Sequence, residues 1–314
     1  MHKNKQKYSF AKWIICIVII VVFVTFVKTF LFETYSISSN SMYKTFNEGD
    51  VVLVNKITYG IRLPCKKYKR IGSTDNIRRN DILAFNYPAE NNSIVKTKTV
   101  LIKRCIGLPG DTVLIRDNRL FVNNKSDNNK LLTYNYFFKS KRKDIGSILS
   151  DFNISDSCEG LRENFYNYTL TESEARLLSK YRIIDTIYKA CYSKDIQQDG
   201  IFPYDSYVKW NTDNYGPLIV PQKGETINID NSNISFYERI INVYEKNKLD
   251  IKDSIIIING KVAKNYTFKY NYYFVLGDNR HNSEDSRFWG FVPEDHIIGK
   301  VVCVLLSKKK LKNK

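Results

Sequence analysis

Two serines stand two positions apart, Ser39 and Ser41, in the stretch SSNSMYKTF (38–46). In extended backbone, residues i and i+2 share a face. A Ser39 hydroxyl could therefore lie beside a Ser41 nucleophile. With the Ser41 backbone N–H, it would donate to the oxyanion of a tetrahedral intermediate. Such a hydroxyl needs a base. The chain has three histidines, His2, His281 and His296. His2 falls on the wrong side of a membrane by the topology below, so a Ser-His-Asp arrangement would depend on His281 or His296. A lysine is the alternative. Its ordinary pKa of ~10.4 must fall by about two to three pH units, a differential cost of roughly 3–4 kcal/mol. Burial among apolar groups can supply this. Lys103 meets that requirement best, in TVLIKRCIGLPG (99–110) with Val100, Leu101, Ile102 and Ile106 around it. Alternation along a strand puts Lys103 and Arg104 on opposite faces, so that one points into the core and the other out. Taken singly, the same residues also read as a serine-rich turn and an edge lysine with a solvated head.

Something must hold these groups at a defined place. Trp13 to Phe32 reads WIICIVIIVVFVTFVKTFLF, matching the ~20 residues that a helix needs to cross a bilayer. Lys28 is its only charge and can snorkel to the interface. Lys3, Lys5, Lys7 and Lys12 precede the run with no acidic residue among them. The positive-inside rule then puts residues 1–12 in the cytoplasm and the rest outside the plasma (inner) membrane, on the periplasmic side, after a single crossing. A cleaved signal peptide would have a shorter apolar core and small residues at its end; here FETYSISS follows. The late stretch VVCVLLS (301–307) is too short to span and reads as a buried strand. Ser41 lies nine residues past Phe32, within about 30 Å of the bilayer even if the link is fully extended.

Beyond the anchor, apolar stretches rich in β-branched and aromatic residues alternate with turn signals at 50–57, 81–87, 99–108 and 112–125. Residues 254–266 contain Asn259-Gly260, a strong two-residue hairpin turn. The one persuasive amphipathic helix spans 172–190. The expected fold is mainly β: an antiparallel, barrel-like domain with an inserted mixed α/β cap, preceded by one transmembrane helix. Its expected divisions are 1–12, 13–32, 33–124 and 254–307 as the two halves of the β domain, 125–253 as the insertion, and 308–314 as a basic tail. The net charge of +17 invites nucleic acid as a partner. The lysines are scattered, however, and no nucleic-acid-binding motif accompanies them, so none is expected. The six cysteines form no C-x-x-C pair, which leaves no zinc pattern. Cys158 and Cys191 could pair if both are extracytoplasmic, but isolated packed thiols are the simpler reading.

SNSMYKTF (39–46), EGDVVLVNK (48–56), RNDILAFNYP (79–88), IKRCIGLPGDTV (102–113) and GDNRHNSEDSRFWGFVP (277–293) together resemble the successive boxes of the type I signal peptidases. These are membrane-anchored Ser-Lys endopeptidases that remove signal peptides from exported proteins. The resemblance covers about 36–125 and 254–307. It implies Ser41 as nucleophile, Lys103 as general base and Ser39 in the oxyanion hole. It further implies that Ser283 orients the Lys103 amine and that Asp285 and Arg287 form a supporting ion pair. No metal and no cofactor is implied; the implied partners are signal-peptide-bearing precursors and the lipid bilayer. Cleavage would follow Ala-X-Ala-type sites through an acyl-enzyme. The chain departs from the family pattern at Ser38, Asn40, Lys44, Asn80 and His281. NYGPLIVP (214–221) is similar to a segment of Gram-negative members, but no motif between 125 and 253 fixes a role. A catalytically silent anchored binding protein of the same fold is the alternative, as is a self-cleaving Ser-Lys regulator.

Overall fold

The structure, a computed structural model, describes residues 2–63, 70–90, 94–127, 129–141, 159–162 and 164–307. Cys65, Cys158 and the basic tail 308–314 lie outside them.

A helix runs over His2–Phe26 and passes through a π turn, Val27–Leu31, into the strand Phe32–Ser36. Within it, Lys12–Leu31 is long and apolar enough to cross a membrane, with a mean hydropathy of 2.9 and none of that window buried in the protein. Lys56 fastens its end to the body. The Lys56 ammonium donates to the carbonyls of Lys28 and Thr29 at 3.0 and 3.3 Å and pairs with Glu33 at 2.6 Å. A cation at a helix C-terminus answers both the free carbonyls and the dipole.

The body is built on a curled, seven-stranded sheet. In spatial order its strands are Phe32–Ser36, Val51–Asn55, Ile297–Leu306, Ile82–Asn86, Val100–Gly107, Tyr272–Leu276 and Val292–Pro293. Every pairing is antiparallel. Cores lie on both faces, as the period of two requires. Ala84 joins Met42, Phe46, Val52, Val54 and Ile298 on one side. Its neighbours Leu83 and Phe85 join Cys105, Val275 and Trp289 on the other. This double burial explains why these strands read as nearly continuous apolar runs.

Several expectations need correction. The stretch 112–125 is not one strand: Thr112–Arg116 and Arg119–Val122 fold at Asp117-Asn118, and Lys125 begins a third, Lys125–Ser126. Both turn residues have positive φ, 49° and 65°, as this hairpin type demands. The Asn259-Gly260 turn joins Ile255–Ile258 to Lys261–Val262 as expected. The helix expected over 172–190 stops at Leu178, and Ile184–Lys189 is a strand. Its run of Ile184, Thr186, Ile187 and Tyr188 pairs with the aromatic strand Thr133–Ser140 instead. Cross-strand contacts there outweigh a helical period that had only Tyr181 to carry its apolar face through 179–182. VVCVLLS does lie in the strand Ile297–Leu306, but Val302 to Leu306 are exposed rather than buried. Nor are the thiols generally packed: Cys105 is buried, whereas Cys16, Cys191 and Cys303 are free and exposed.

Candidate active site

The chain reaches Ser39 in extended conformation (φ −144°, ψ 161°) and turns through a single 3-10 turn, Asn40–Met42. Met42 and Phe46 are buried against Val52, Val54 and Ala84 and so pin the turn to the sheet. From the opposite loop, Asn279 clamps it: its backbone N–H donates to the Ser41 carbonyl and its side-chain amide to the Asn40 carbonyl, both at 3.0 Å. Lys103 comes from the middle of the strand Val100–Gly107. Its Nζ lies 2.5 Å from Ser41 Oγ, and its side chain is only 4% exposed. Ser39 Oγ is 3.2 Å from Ser41 Oγ. Burial pushes the Lys103 pKa down from 10.5 to about 8, against the pull of the nearby Asp285 and Glu284 carboxylates.

The loop after Tyr272–Leu276 closes the site through a near approach of backbones. A Cβ on Gly277 would stand 2.2 Å from Ser283 Oγ and 2.6 Å from the Ser41 carbonyl oxygen, so only glycine fits. Ser283 is thus packed beside the Ser41 backbone, and its hydroxyl donates to the Glu284 carbonyl at 3.4 Å. Asp285 and Arg287 form a two-pronged pair, Nε to Oδ1 and Nη2 to Oδ2, both 2.8 Å, with the side chains 0% and 1% exposed. Burial raises the Asp285 pKa, but the Arg287 guanidinium and the Gly277 N–H outweigh it and hold the carboxyl below its usual range. Arg287 also donates to the carbonyls of Thr212 and Arg280, so one side chain ties three segments together. Arg287→Met should therefore cost about 3–5 kcal/mol by leaving a buried carboxylate unpaired, read as a fall in the urea midpoint of unfolding.

Sequence reasoning had Arg104 or Lys103 pointing outward, and neither does. Arg104 is also buried, its charge taken by Asp278 through bonds of 2.8 and 2.6 Å. Thr45 donates to the same carboxylate at 2.5 Å. Asn279 and Thr45 were missed as site-builders, and Asp278 was placed only in the family-like turn that begins at Gly277. The close spacing of Gly277, Asp278 and Asn279 was the only signal, and it showed a turn without its target. A histidine base is not supported. His281 Nδ1 accepts from the Asn135 N–H at 2.9 Å, and Nε2 meets Asp213 at 2.8 Å and Asn118 at 3.1 Å, so both nitrogens are occupied. His296 is buried against Tyr244 with Nδ1 on Asp295.

Comparison with known proteins agrees with this architecture. The family model described as signal peptidase, peptidase S26, matches residues 10–166 and 219–306. The chain belongs to that family. It is 30% identical over 300 residues to signal peptidase I of Buchnera aphidicola from Schizaphis graminum, covering 93% of this chain and 73% of that one. Signal peptidase I of Buchnera aphidicola from Acyrthosiphon pisum is 27% identical, covering all of this chain and 80% of its own. That of Aquifex aeolicus is 26% identical, covering 95% and 85%. As a member of this family the chain is a hydrolase that cleaves signal peptides, and its substrates are proteins that carry them. A helix fit to anchor it in a membrane precedes the body.

Proposed function

We propose that this signal peptidase works by a Ser41–Lys103 dyad at the outer face of the plasma (inner) membrane and cleaves after small residues. The observation that carries the reading is a buried amine, 2.5 Å from a hydroxyl, whose pKa burial has lowered to about 8. Neutral Lys103 takes the Ser41 proton as Oγ attacks the scissile carbonyl carbon. The resulting oxyanion is met by the Ser41 N–H and the Ser39 hydroxyl. Collapse breaks the C–N bond, and the Lys103 ammonium returns its proton to the leaving amine. Water, losing a proton to the same amine, then adds to the acyl-enzyme and frees Ser41. Ser283 would steady the Lys103 amine by turning its hydroxyl from the Glu284 carbonyl, to which it donates here, towards Nζ. Asp285 and Arg287 hold the loop that carries it.

The anchor gives this chemistry its address. The helix ends at the strand Phe32–Ser36, and Ser41 follows five residues after that strand. A precursor whose apolar segment stays in the bilayer offers its cleavage site at the same height. The exposed Val302, Val304, Leu305 and Leu306 give the body a second apolar surface, which supports a resting place against lipid. The N-terminus would be cytoplasmic and the body periplasmic, with 125–253 as an insertion in the catalytic domain. The test uses the full-length protein in detergent and a precursor with Ala at −1 and −3. Cleavage should fall about a hundredfold or more when −1 is Phe, because a pocket sized for a methyl group cannot admit a ring. Equal cleavage of both precursors would overturn the specificity.

A further inference from the structure

Both loops of the site are fastened to a sheet that lies outside the seven-stranded body. That sheet comprises Glu159–Arg162, Phe165–Thr171, Thr133–Ser140 and Ile184–Lys189. The first loop, 277–282, pairs with the start of its internal strand Thr133–Ser140. Thr133 N–H donates to the Asp278 carbonyl and Arg280 N–H to the Thr133 carbonyl, each at 2.9 Å. Asn282 donates to Asn135 and Thr169 side chains at 2.9 and 3.1 Å. The second loop carries Ser41, and one ion pair joins it to the helix that follows the strand Phe165–Thr171 and packs on this sheet: Lys44 Nζ to Glu174 Oε1, 2.7 Å, with the side chains 20% and 17% exposed.

Glu174 is itself rigidly placed. It is the third residue of the helix Glu172–Leu178, whose N-terminus is closed by a capping box. There Glu174 Oε2 accepts from the Thr171 N–H at 2.9 Å while Thr171 Oγ1 accepts from the Glu174 N–H. One carboxylate oxygen locks the helix start and the other faces Lys44. At the far end, Lys44 has φ +70°, three residues after Ser41. Such backbone persists in a non-glycine residue only where its surroundings hold it. Lys44 is also one of the positions at which the sequence departs from the family pattern.

We propose that Lys44 and Glu174 are positioning residues: their ion pair fixes the turn bearing Ser41 against the accessory sheet, so that this sheet sets the approach of Ser41 to Lys103. The inference rests on Ser41 being the nucleophile. It predicts a loss in turnover rather than in substrate affinity, because neither residue touches the reacting atoms.

The experiment compares Lys44→Met, Glu174→Gln and the double variant with the parent, using full-length protein in detergent and the Ala-X-Ala precursor. Met leaves the positive-φ backbone as it was, and Gln keeps an acceptor for the Thr171 N–H, so each removes little beyond the charge. Each single variant should lower kcat about tenfold or more, since small misplacements of a nucleophile are costly, with KM within about twofold and Tm within about 3 °C. The double variant should be no worse than either single, the signature of one shared interaction. Lys44→Arg should retain most of the rate. Arg176→Gln, which breaks only the exposed Arg176–Glu172 pair on the same helix, should change nothing. If the singles keep kcat within twofold, or their losses multiply in the double variant, the pair does not position Ser41. Ser41→Ala run alongside separates the two failures. An inactive Ser41→Ala with an unimpaired Glu174→Gln sinks this inference alone, whereas an active Ser41→Ala sinks the dyad and this inference with it.

Discussion

Ser41→Ala is expected to abolish precursor cleavage while leaving the fold intact. The substitution removes one oxygen and nothing that holds the turn. The Asn279 clamp is to the Ser41 and Asn40 carbonyls, which alanine keeps. Met42 and Phe46 remain in their core. Tm should move by no more than about 4 °C, because what the buried Ser41 gives up is the hydrogen bonding of one hydroxyl to Lys103 and Ser39, worth about 1 kcal/mol. The rate, by contrast, should fall by about 10⁴ to 10⁶, the loss met when a covalent nucleophile is deleted from a site whose parts act as a unit. What survives would come from precursor binding and from donors that polarise the carbonyl. Single-turnover cleavage of a radiolabelled precursor, with thermal unfolding measured on the same sample, decides it. Cleavage within tenfold of the parent would mean that another group attacks.

How much of this the sequence made legible follows from how local each signal was. The anchor and the paired strands were readable because a long apolar run and a period of two are properties of single segments. The Ser39–Ser41 pair was readable but its geometry was not: extended backbone was expected through 39–41, whereas only Ser39 is extended and the hydroxyls meet at 3.2 Å across the 3-10 turn Asn40–Met42. Lys103 was identified from its apolar neighbours in one strand. Arg104 was misjudged because alternation says which face a side chain takes and not what waits there. Asp278 comes from a loop 174 positions away and turns that face into an ion-paired interior. The strand Ile184–Lys189 was read as helix because its partner, Thr133–Ser140, is distant in sequence. The exposed end of Ile297–Leu306 reads as core on composition alone; only its run past the strand Ile82–Asn86, which pairs with it no further than Lys300, shows otherwise. The Lys44–Glu174 pair likewise spans 130 positions and has no signature within either segment. Local chemistry was therefore visible, and the contacts that aim it were not.

Replacing Lys103 should produce opposite effects on activity and stability, with the same pH dependence behind both. In the parent, only the neutral amine can take the Ser41 proton. With the pKa lowered to about 8, kcat/KM should rise about tenfold per pH unit below 8 and level off above it. Lys103→Met removes the base at nearly constant volume and should cost at least about 10³ in rate, the span ascribed to a general base, with no such rising limb in any residual activity. Stability runs the other way. The folded pKa lies below the ordinary 10.5, so the unfolded chain binds this proton more tightly and folding is penalised wherever the amine is charged. Below pH 8 the penalty is fully present, about 3 kcal/mol for the fall from 10.5 to about 8. It fades as pH rises from 8 towards 10.5, where the unfolded chain loses the proton too. Lys103→Met should accordingly be more stable than the parent by up to about 3 kcal/mol at pH 6–7, an advantage that shrinks towards nothing by about pH 11. Urea unfolding at pH 6.5, 8 and 10 measures it. A variant that is less stable at pH 6.5, or a parent rate that is flat from pH 6 to 9, would show that the amine at this site is not held uncharged by burial, and the dyad would lose its base.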